Sequence, residues 1–320
     1  ETSSPIAQRI AQELQNRAEF ARFGAKNKYR EQWVKRANQG AFLYTIGFNV
    51  SSALVNLSQI PLFVYPYLGA EYGYTKTAKA VTDAYTRVVN SKNKIDDYFD
   101  IKTVLTKDAS GKVVKREKKY ILKTDLKSVT GAELAASEIK ELKKYETLID
   151  VAQSRGQLTR SFIIDALGLD EVGHRTTGSW RDNMTLNNLV SLSAVPFNQA
   201  ERLNRQVTLM ASYDLALQEG LSETDAAFKA LRQSQELNGG AVLEAAPRWA
   251  QAGLGRIALM YKSYGLRMYT TMLKSSKELT DNMFAPVDGE SASDKVERET
   301  ARNIAFKQLV GVIGSSAFFS

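Results

Sequence analysis

The sequence predicts an all-α protein built mostly of long helices, with one small β-hairpin insert near residues 98–123. Glycine and proline are scarce, at 20 and 6 of 320 residues, and apolar residues recur at helical spacing in most segments. Between residues 93 and 127 the chain becomes richer in Val, Ile, Leu and Thr around a turn-like sequence. That change of character favours a pair of strands.

The N-terminal region, 1–92, is predicted to begin with a helix. Ser4 precedes Pro5, so a capping serine is followed by a proline at the first helical position. Apolar residues then fall on one face of this helix, at Ile6, Ile10 and Leu14. A basic stretch, in which Glu31 is the only acid between Arg22 and Arg36, leads into the next segment.

The segment from Ala37 to Ala70 contains no charged residue. It is long enough to cross a bilayer, for which about 20 apolar residues suffice. It also contains polar amides and two prolines, Pro61 and Pro66, which weaken a single-span interpretation. We therefore expect it to be buried in protein and to meet lipid only after rearrangement, for example in a ring of copies lining a pore.

The insert at 93–127 follows a predicted amphipathic helix from Thr75 to Val89. Its predicted strands are Asp100–Thr106 and Val113–Leu122, joined by a turn at 107–111. The candidate phosphate contacts of the insert, to DNA or to a lipid headgroup, are Lys112, Lys115, Arg116, Lys118, Lys119 and Lys123. The alternative is a solvated hairpin whose lysines only cover apolar surface.

The region 128–284 is predicted to be helical. A capping-box pattern at 130–133 opens a helix with apolar residues from Ile139 to Ala152 on one side. A helix from Asn198 to Glu219 ends at Gly220, the next begins at 222–225, and a long aromatic helix spans 248–281. A linker at 285–294 precedes a C-terminal helix, 295–320, which we expect to be truncated because both chain ends have the character of cut ends.

Two segments resemble each other at an offset of 135 residues: LVNLSQIPL at 54–62 and LVSLSAVPF at 189–197. They indicate either a duplicated unit of uncharged helix, proline break and amphipathic helix, or a coincidence among common residues. In both cases we expect the two segments to pack together. The candidate helix-packing or membrane residues are Leu54, Val55, Leu57, Ile60, Pro61, Leu189, Val190, Leu192, Val195 and Pro196.

Catalytic and cofactor-binding signatures are missing from the sequence. There is no cysteine, and His174 is the only histidine, which excludes thiolate chemistry and His-rich metal sites. The segment Ser110-Gly111-Lys112 lacks the first glycine of a phosphate-binding loop, because position 106 is threonine. We expect no enzyme and no cofactor in this segment, while the net charge of +8 favours acidic partners.

Four sequence blocks resemble the helical region of large internal virion, or DNA-ejection, proteins of short-tailed phages and related phage large polyvalent proteins. The blocks are NVSSALVNLSQIPLF, LNNLVSLSAVPFNQAERLNRQVTLMASYDLAL, NGGAVLEAAPRWAQAGLGRIALMYKSYGLRMY and AFKQLVGVIGSSAFF. The resemblance covers about 40–90 and 180–320. It is one of texture and block order, and it transfers no catalytic residue.

The resemblance implies a structural protein that is packaged in the phage head and then expelled to help deliver the genome across the host envelope. The implied partners are further copies of the chain and other virion proteins of the portal or core, with non-specific DNA contact and host-membrane contact after ejection. The alternatives are a co-injected antirestriction protein and a helical accessory domain of a larger multi-enzyme phage protein.

Overall fold

The structure, a computed structural model, describes residues 5–23, 28–45, 50–91, 95–107, 113–127, 134–155, 158, 186–238, 269–283 and 291–317. These residues are mostly helical and contain one two-stranded antiparallel sheet, so the predicted fold class is confirmed. The first elements are α1 (Pro5–Phe23), α2 (Lys28–Thr45), α3 (Val50–Leu57), a π-helical turn (Ile60–Val64), α4 (Tyr65–Tyr72), α5 (Tyr74–Asn90) and a 3-10 turn (Ile95–Tyr98). The rest are β1 (Phe99–Lys107), β2 (Val113–Leu122), α6 (Ala136–Lys144), α7 (Glu146–Ser154), α8 (Leu186–Gln218), α9 (Glu223–Asn238), α10 (269–283) and α11 (Ala292–Ala317).

The chain divides into two compact units, each discontinuous along the sequence. The first comprises 1–49, 160–195 and 240–263, and the second comprises 50–159, 196–239 and 264–320. In the first unit, α1 begins at Pro5 as predicted, and Phe42 of α2 is fully buried. The second unit holds the main hydrophobic core.

Helix α4 lies at the centre of the second unit, where it packs against α5 and α11. Phe63, Val64 and Leu68 are at most 1% exposed, so this part of the uncharged segment forms the core, as predicted. Pro61 and Pro66 lie at the starts of the π-helical turn and of α4. Gln59 and Val64, which precede the two elements, are themselves helical, so both prolines lie in a continuous helical run. A π-helical turn is a local adjustment of the kind found where the regular helical hydrogen-bond ladder is interrupted.

The buried amide of Gln59, in the uncharged segment, is hydrogen-bonded to two other helices. Gln59 Nε2 donates to the Leu237 carbonyl of α9 at 2.6 Å. Asn204 of α8 donates through Nδ2 to the Asn56 carbonyl at 2.5 Å and to Gln59 Oε1 at 3.3 Å. Burying an amide is tolerated when it is hydrogen-bonded. These contacts explain why polar residues occur in a segment that is otherwise a core sequence.

The proline break predicted for the second uncharged segment is wrong. Pro196 lies inside α8, which continues unbroken from Leu186 to Gln218. An interior proline costs a helix about 3 kcal/mol, and extensive burial of the residues that follow offsets this cost. Every residue from Leu203 to Ala216 is buried. Of the two similar segments, only the first is therefore interrupted, at its π-helical turn.

Two other boundaries differ from the prediction. The helix expected to run through Ile139 and Ala152 is divided at Tyr145 into α6 and α7, and α6 begins at Ala136, where Glu138 accepts a hydrogen bond from the Ala135 amide at 2.8 Å. Helix α11 begins at Ala292, so the end of the predicted linker is helical. The predicted helix end at Gly220, which has a φ of 87°, is confirmed.

Candidate polyanion-binding hairpin

Strands β1 and β2 form the predicted hairpin in an antiparallel register that pairs Phe99 with Leu122 and Ile101 with Tyr120. Lys102 lies directly opposite Lys119 in this ladder. Successive residues of a strand alternate between faces, so the two lysines project from the same face. The turn predicted at 107–111 lies outside the described residues except for Lys107, the last residue of β1.

The outer edge of β2 is held by two carboxylates of α7. The Tyr120 amide donates to Asp150 Oδ1 at 2.8 Å, and the Leu122 amide donates to Glu146 Oε2 at 3.4 Å. Four helical residues rise about 6 Å and two strand residues rise about 6.7 Å, so the acids match alternate amides of the strand. Helix α7 therefore fixes the hairpin on the second unit.

Helix α7 is fixed in turn by a buried polar cluster, the Asp214 cluster, which we define as Asp214, Tyr145, Lys144 and Arg87. The Tyr145 hydroxyl donates to Asp214 Oδ2 at 2.7 Å. Lys144 Nζ lies 2.5 Å from Oδ1, and Arg87 Nη1 lies 3.5 Å from Oδ2. The Arg87 guanidinium also donates to the Tyr145 hydroxyl. The cluster joins α5 and α8 to the corner between α6 and α7.

The second unit buries several tyrosines whose pKa values are raised. Burial, followed by the nearby Glu71, raises the pKa of Tyr72 to about 12. Burial, followed by Glu223 and Asp214, raises the pKa of Tyr213 to about 12. Burial and then the charge of Asp214 also raise the pKa of Tyr145. These hydroxyls are neutral in the folded protein at physiological pH.

Alkaline pH is expected to destabilise the second unit. A tyrosine with a raised pKa keeps its proton in the folded chain when the unfolded chain, near pH 10, releases it. This contribution to the free energy of unfolding is complete below pH 10 and falls as pH rises towards 12. Urea unfolding at a series of pH values checks this, and Tyr72→Phe should show a shallower decline than the parent. Parallel declines would contradict this assignment.

Among the hairpin side chains that the structure describes, three lysines are exposed: Lys102, Lys118 and Lys119. Among the described residues, no carboxylate forms an ion pair with Lys102 or Lys118. Lys119 lies 3.6 Å from Glu117. Like charges directly opposite each other on a sheet are destabilising, and an anionic group that contacts both Lys102 and Lys119 would relieve that repulsion. The arrangement suits contact with the phosphates of a nucleic acid, without recognition of its bases.

The predicted phosphate contacts have different surroundings. Lys118 and Lys119 lie exposed on β2, whereas Lys123 is largely covered and lies 3.6 Å from Asp100. The backbones of Lys115 and Arg116 pair with β1, their side chains lie outside the described part, and so does Lys112. Sequence reasoning missed Lys102, although its place on the first predicted strand was a usable signal.

The candidate packing residues also differ in exposure. Ile60 and Val190 are buried, Leu57 and Pro196 are half-buried, and Pro61 is exposed. Leu54 is 60% exposed, Leu192 is 62% exposed and Val195 is 47% exposed, so the predicted burial is wrong for these three and for Pro61. In each case the exposed residue lies on a helix whose other face is buried. The side chains of Val55 and Leu189 lie outside the described part, and packing of the two segments on each other stays a prediction.

The described part of the chain contains neither a candidate membrane span nor a candidate metal cluster. None of its helices combines the length and apolar character that a bilayer crossing requires. Within those same ranges, no group of three or more acidic or histidine side chains has a metal-binding arrangement. His174 lies outside them.

No protein-family model, curated protein or solved structure matches this chain. The resemblance to phage internal virion proteins therefore rests on the sequence blocks alone.

Proposed function

We propose that this chain is a structural segment of a phage internal virion protein that oligomerises and contacts the genome without sequence preference. The hairpin is the contact, through the phosphates of DNA. The observation that carries the DNA contact is the set of exposed lysines on the hairpin, two of them directly opposite each other. The sequence blocks that resemble those of ejection proteins support the particle assignment, under which the protein would lie in the phage head and later in the host envelope.

The helical part of the chain suits a structural role. Some of its ionisable side chains are engaged in contacts between helices: Tyr67 donates to Glu236 at 2.6 Å, and Lys274 lies 2.7 Å from the same carboxylate. Burial alone would raise the pKa of Glu236, but Lys274 and Tyr67 outweigh it and lower that pKa. Such a carboxylate serves as a fixed charge between α4, α9 and α10 rather than as a proton donor.

The DNA contact is tested by removing the three exposed lysines in the variant K102S/K118S/K119S. Binding to random-sequence duplexes is measured by fluorescence anisotropy across a salt series. Each lysine that contacts a phosphate contributes about 1 to the slope of log affinity against log salt. We expect the slope to fall by up to about 3 and the affinity to fall alike for all sequences.

A matched control removes three exposed lysines from helices, in the variant K76S/K79S/K140S. It lowers the net charge equally, and we expect it to change the slope less. Equal losses in both variants would show a general charge effect and sink the hairpin assignment. Binding to anionic vesicles in place of DNA would contradict the genome contact. Mass spectrometry of purified particles, and of host membranes after ejection, tests the virion assignment.

A further inference from the structure

The outward amides on the two edges of the hairpin differ in their hydrogen-bond partners. On β2, the outward amides of Tyr120 and Leu122 donate to α7. Because Tyr120 lies opposite Ile101 and its amide points outward, the amide of Ile101 points outward on the other edge. The same holds for Thr103 and Leu105 at alternate positions of β1. Among the described residues, nothing accepts a hydrogen bond from these three amides.

The free edge of β1 also carries exposed apolar side chains. Ile101 is 57% exposed and Leu105 is 46% exposed, and both project from one face of the sheet. Thr103 between them is exposed as well. An exposed edge strand with apolar side chains is a template for pairing with another strand.

We propose that β1 pairs edge to edge with β1 of a second copy of this chain, antiparallel and about a two-fold axis at Thr103. The two hairpins then form one four-stranded sheet. In this register the residues with outward amides form the hydrogen-bonded pairs. Thr103 pairs with the partner's Thr103, and Ile101 pairs with the partner's Leu105. The sequence of β1 is thus complementary to itself about its centre.

Side-chain chemistry in this register favours a second copy over another partner. Each Ile101 gains a Leu105 across the new interface, so four exposed apolar side chains cover one another. Lys102 lies opposite the partner's Val104, and Asp100 lies opposite the partner's Thr106, so no lysine of β1 faces another lysine directly. The same pairing through β2 is blocked by α7.

The pairing closes after two copies. Of the two outer edges of the hairpin, only that of β1 has no hydrogen-bond partner among the described residues, since α7 occupies the outer edge of β2. An isologous contact uses the β1 edge once in each copy. The result is a dimer rather than a continuing sheet. The joined sheet carries the exposed lysines of both hairpins, and their repulsion is weakened by salt. The dimer therefore tightens with added salt, while DNA binding weakens.

This inference deepens the oligomerisation in the proposed function, and it is tested without DNA and without phage particles. The chain has no cysteine, so a single introduced thiol reports one contact. In a hydrogen-bonded antiparallel pair the Cα atoms lie about 5.5 Å apart, within the range of a disulfide. We expect Thr103→Cys to form a disulfide-linked dimer on mild oxidation. Thr82→Cys, an exposed site on α5, should stay monomeric. Equal cross-linking of the two variants would overturn the proposal.

A proline substitution gives an independent readout by sedimentation. Thr103→Pro removes an outward amide, which the β1–β2 ladder does not use, so the hairpin itself persists. We expect its dimer dissociation constant to rise about tenfold or more, since the central hydrogen bonds of the pairing are lost. Thr103→Ser, which keeps the amide, should dimerise as the parent does.

The same variants separate this inference from the DNA contact. Retained DNA binding by Thr103→Pro would show that the hairpin is intact and that only pairing is lost. A Thr103→Pro chain that dimerises as tightly as the parent, or a parent that stays monomeric at high salt and high concentration, would refute the edge pairing. Dimerisation with no DNA binding would leave the pairing standing and refute the DNA contact.

Discussion

Replacing Asp214 with alanine is expected to lower the free energy of unfolding by about 3 kcal/mol. Removing one member of a buried ionic group typically costs about 3–5 kcal/mol, because its partners stay buried without a counter-charge. The Lys144 side chain is 43% exposed and can regain water, which places the expected cost at the lower end. The Tyr145 hydroxyl is buried and cannot regain water, so its lost hydrogen bond accounts for much of the decrease in the free energy of unfolding.

The control for Asp214→Ala is Glu141→Ala. Glu141 contacts the same Arg87 at 3.3 Å, but its side chain is 57% exposed. An exposed ion pair contributes about 0–1 kcal/mol. Urea unfolding of both variants, and of a double-mutant cycle with Tyr145→Phe, measures the difference. Equal costs for Asp214→Ala and Glu141→Ala, or additive effects of Asp214→Ala and Tyr145→Phe, would show that the cluster is not a coupled unit.

Gly311→Ala is expected to destabilise the protein although alanine is the better helix former. A Cβ at Gly311 would lie 2.7 Å from the Pro66 Cβ and 3.6 Å from its Cα. The pyrrolidine ring cannot rotate away, so α11 and α4 would have to separate. Overpacking of this kind costs about 1–3 kcal/mol.

Gly314 provides a matched control on the same helix. No atom lies within 4 Å of a Cβ placed there. Gly314→Ala is expected to raise the free energy of unfolding by about 0.5–1 kcal/mol, the usual gain from alanine in a helix interior. Thermal and urea unfolding should thus give effects of opposite sign for the two substitutions. Stabilisation by both would show that α11 can move away from α4 at little cost.

Local signals in the sequence were sufficient for much of the fold. The strands around 107–111 and the helix end at Gly220 depend on turn chemistry and capping, which act within a few residues. The burial of most residues between 59 and 70 followed from the lack of charge. Pro196 shows the limit of such signals, because the burial that keeps α8 continuous comes from tertiary packing.

The support of the candidate site was not predictable in the same way. Asp214 and Tyr145 are 69 positions apart, and Arg87 is 127 positions from Asp214. Nothing in the local sequence distinguishes these side chains from solvent-facing ones. The break between α6 and α7 at Tyr145 also involves a contact that is distant in sequence, because the Tyr145 hydroxyl donates to the Asp214 carboxylate of α8. Glu146 and Asp150 are four residues apart, a spacing that matches alternate amides of a strand. That match can be recognised only when the position of the strand edge is already known.

The two carboxylates of α7 have a consequence for how the hairpin tolerates length change. They accept hydrogen bonds only from amides that face outward, and these occur at every second residue of β2. The position in the ladder, not the identity of the residue, sets which amides face outward, so a single-residue insertion upstream of Tyr120 within β2 would still present amides to both acids. It would move side chains of β2 to the opposite face of the sheet. A two-residue insertion would keep both the amides and the side-chain faces, so the pleat favours length variants in steps of two, while the contact with α7 depends on backbone position alone.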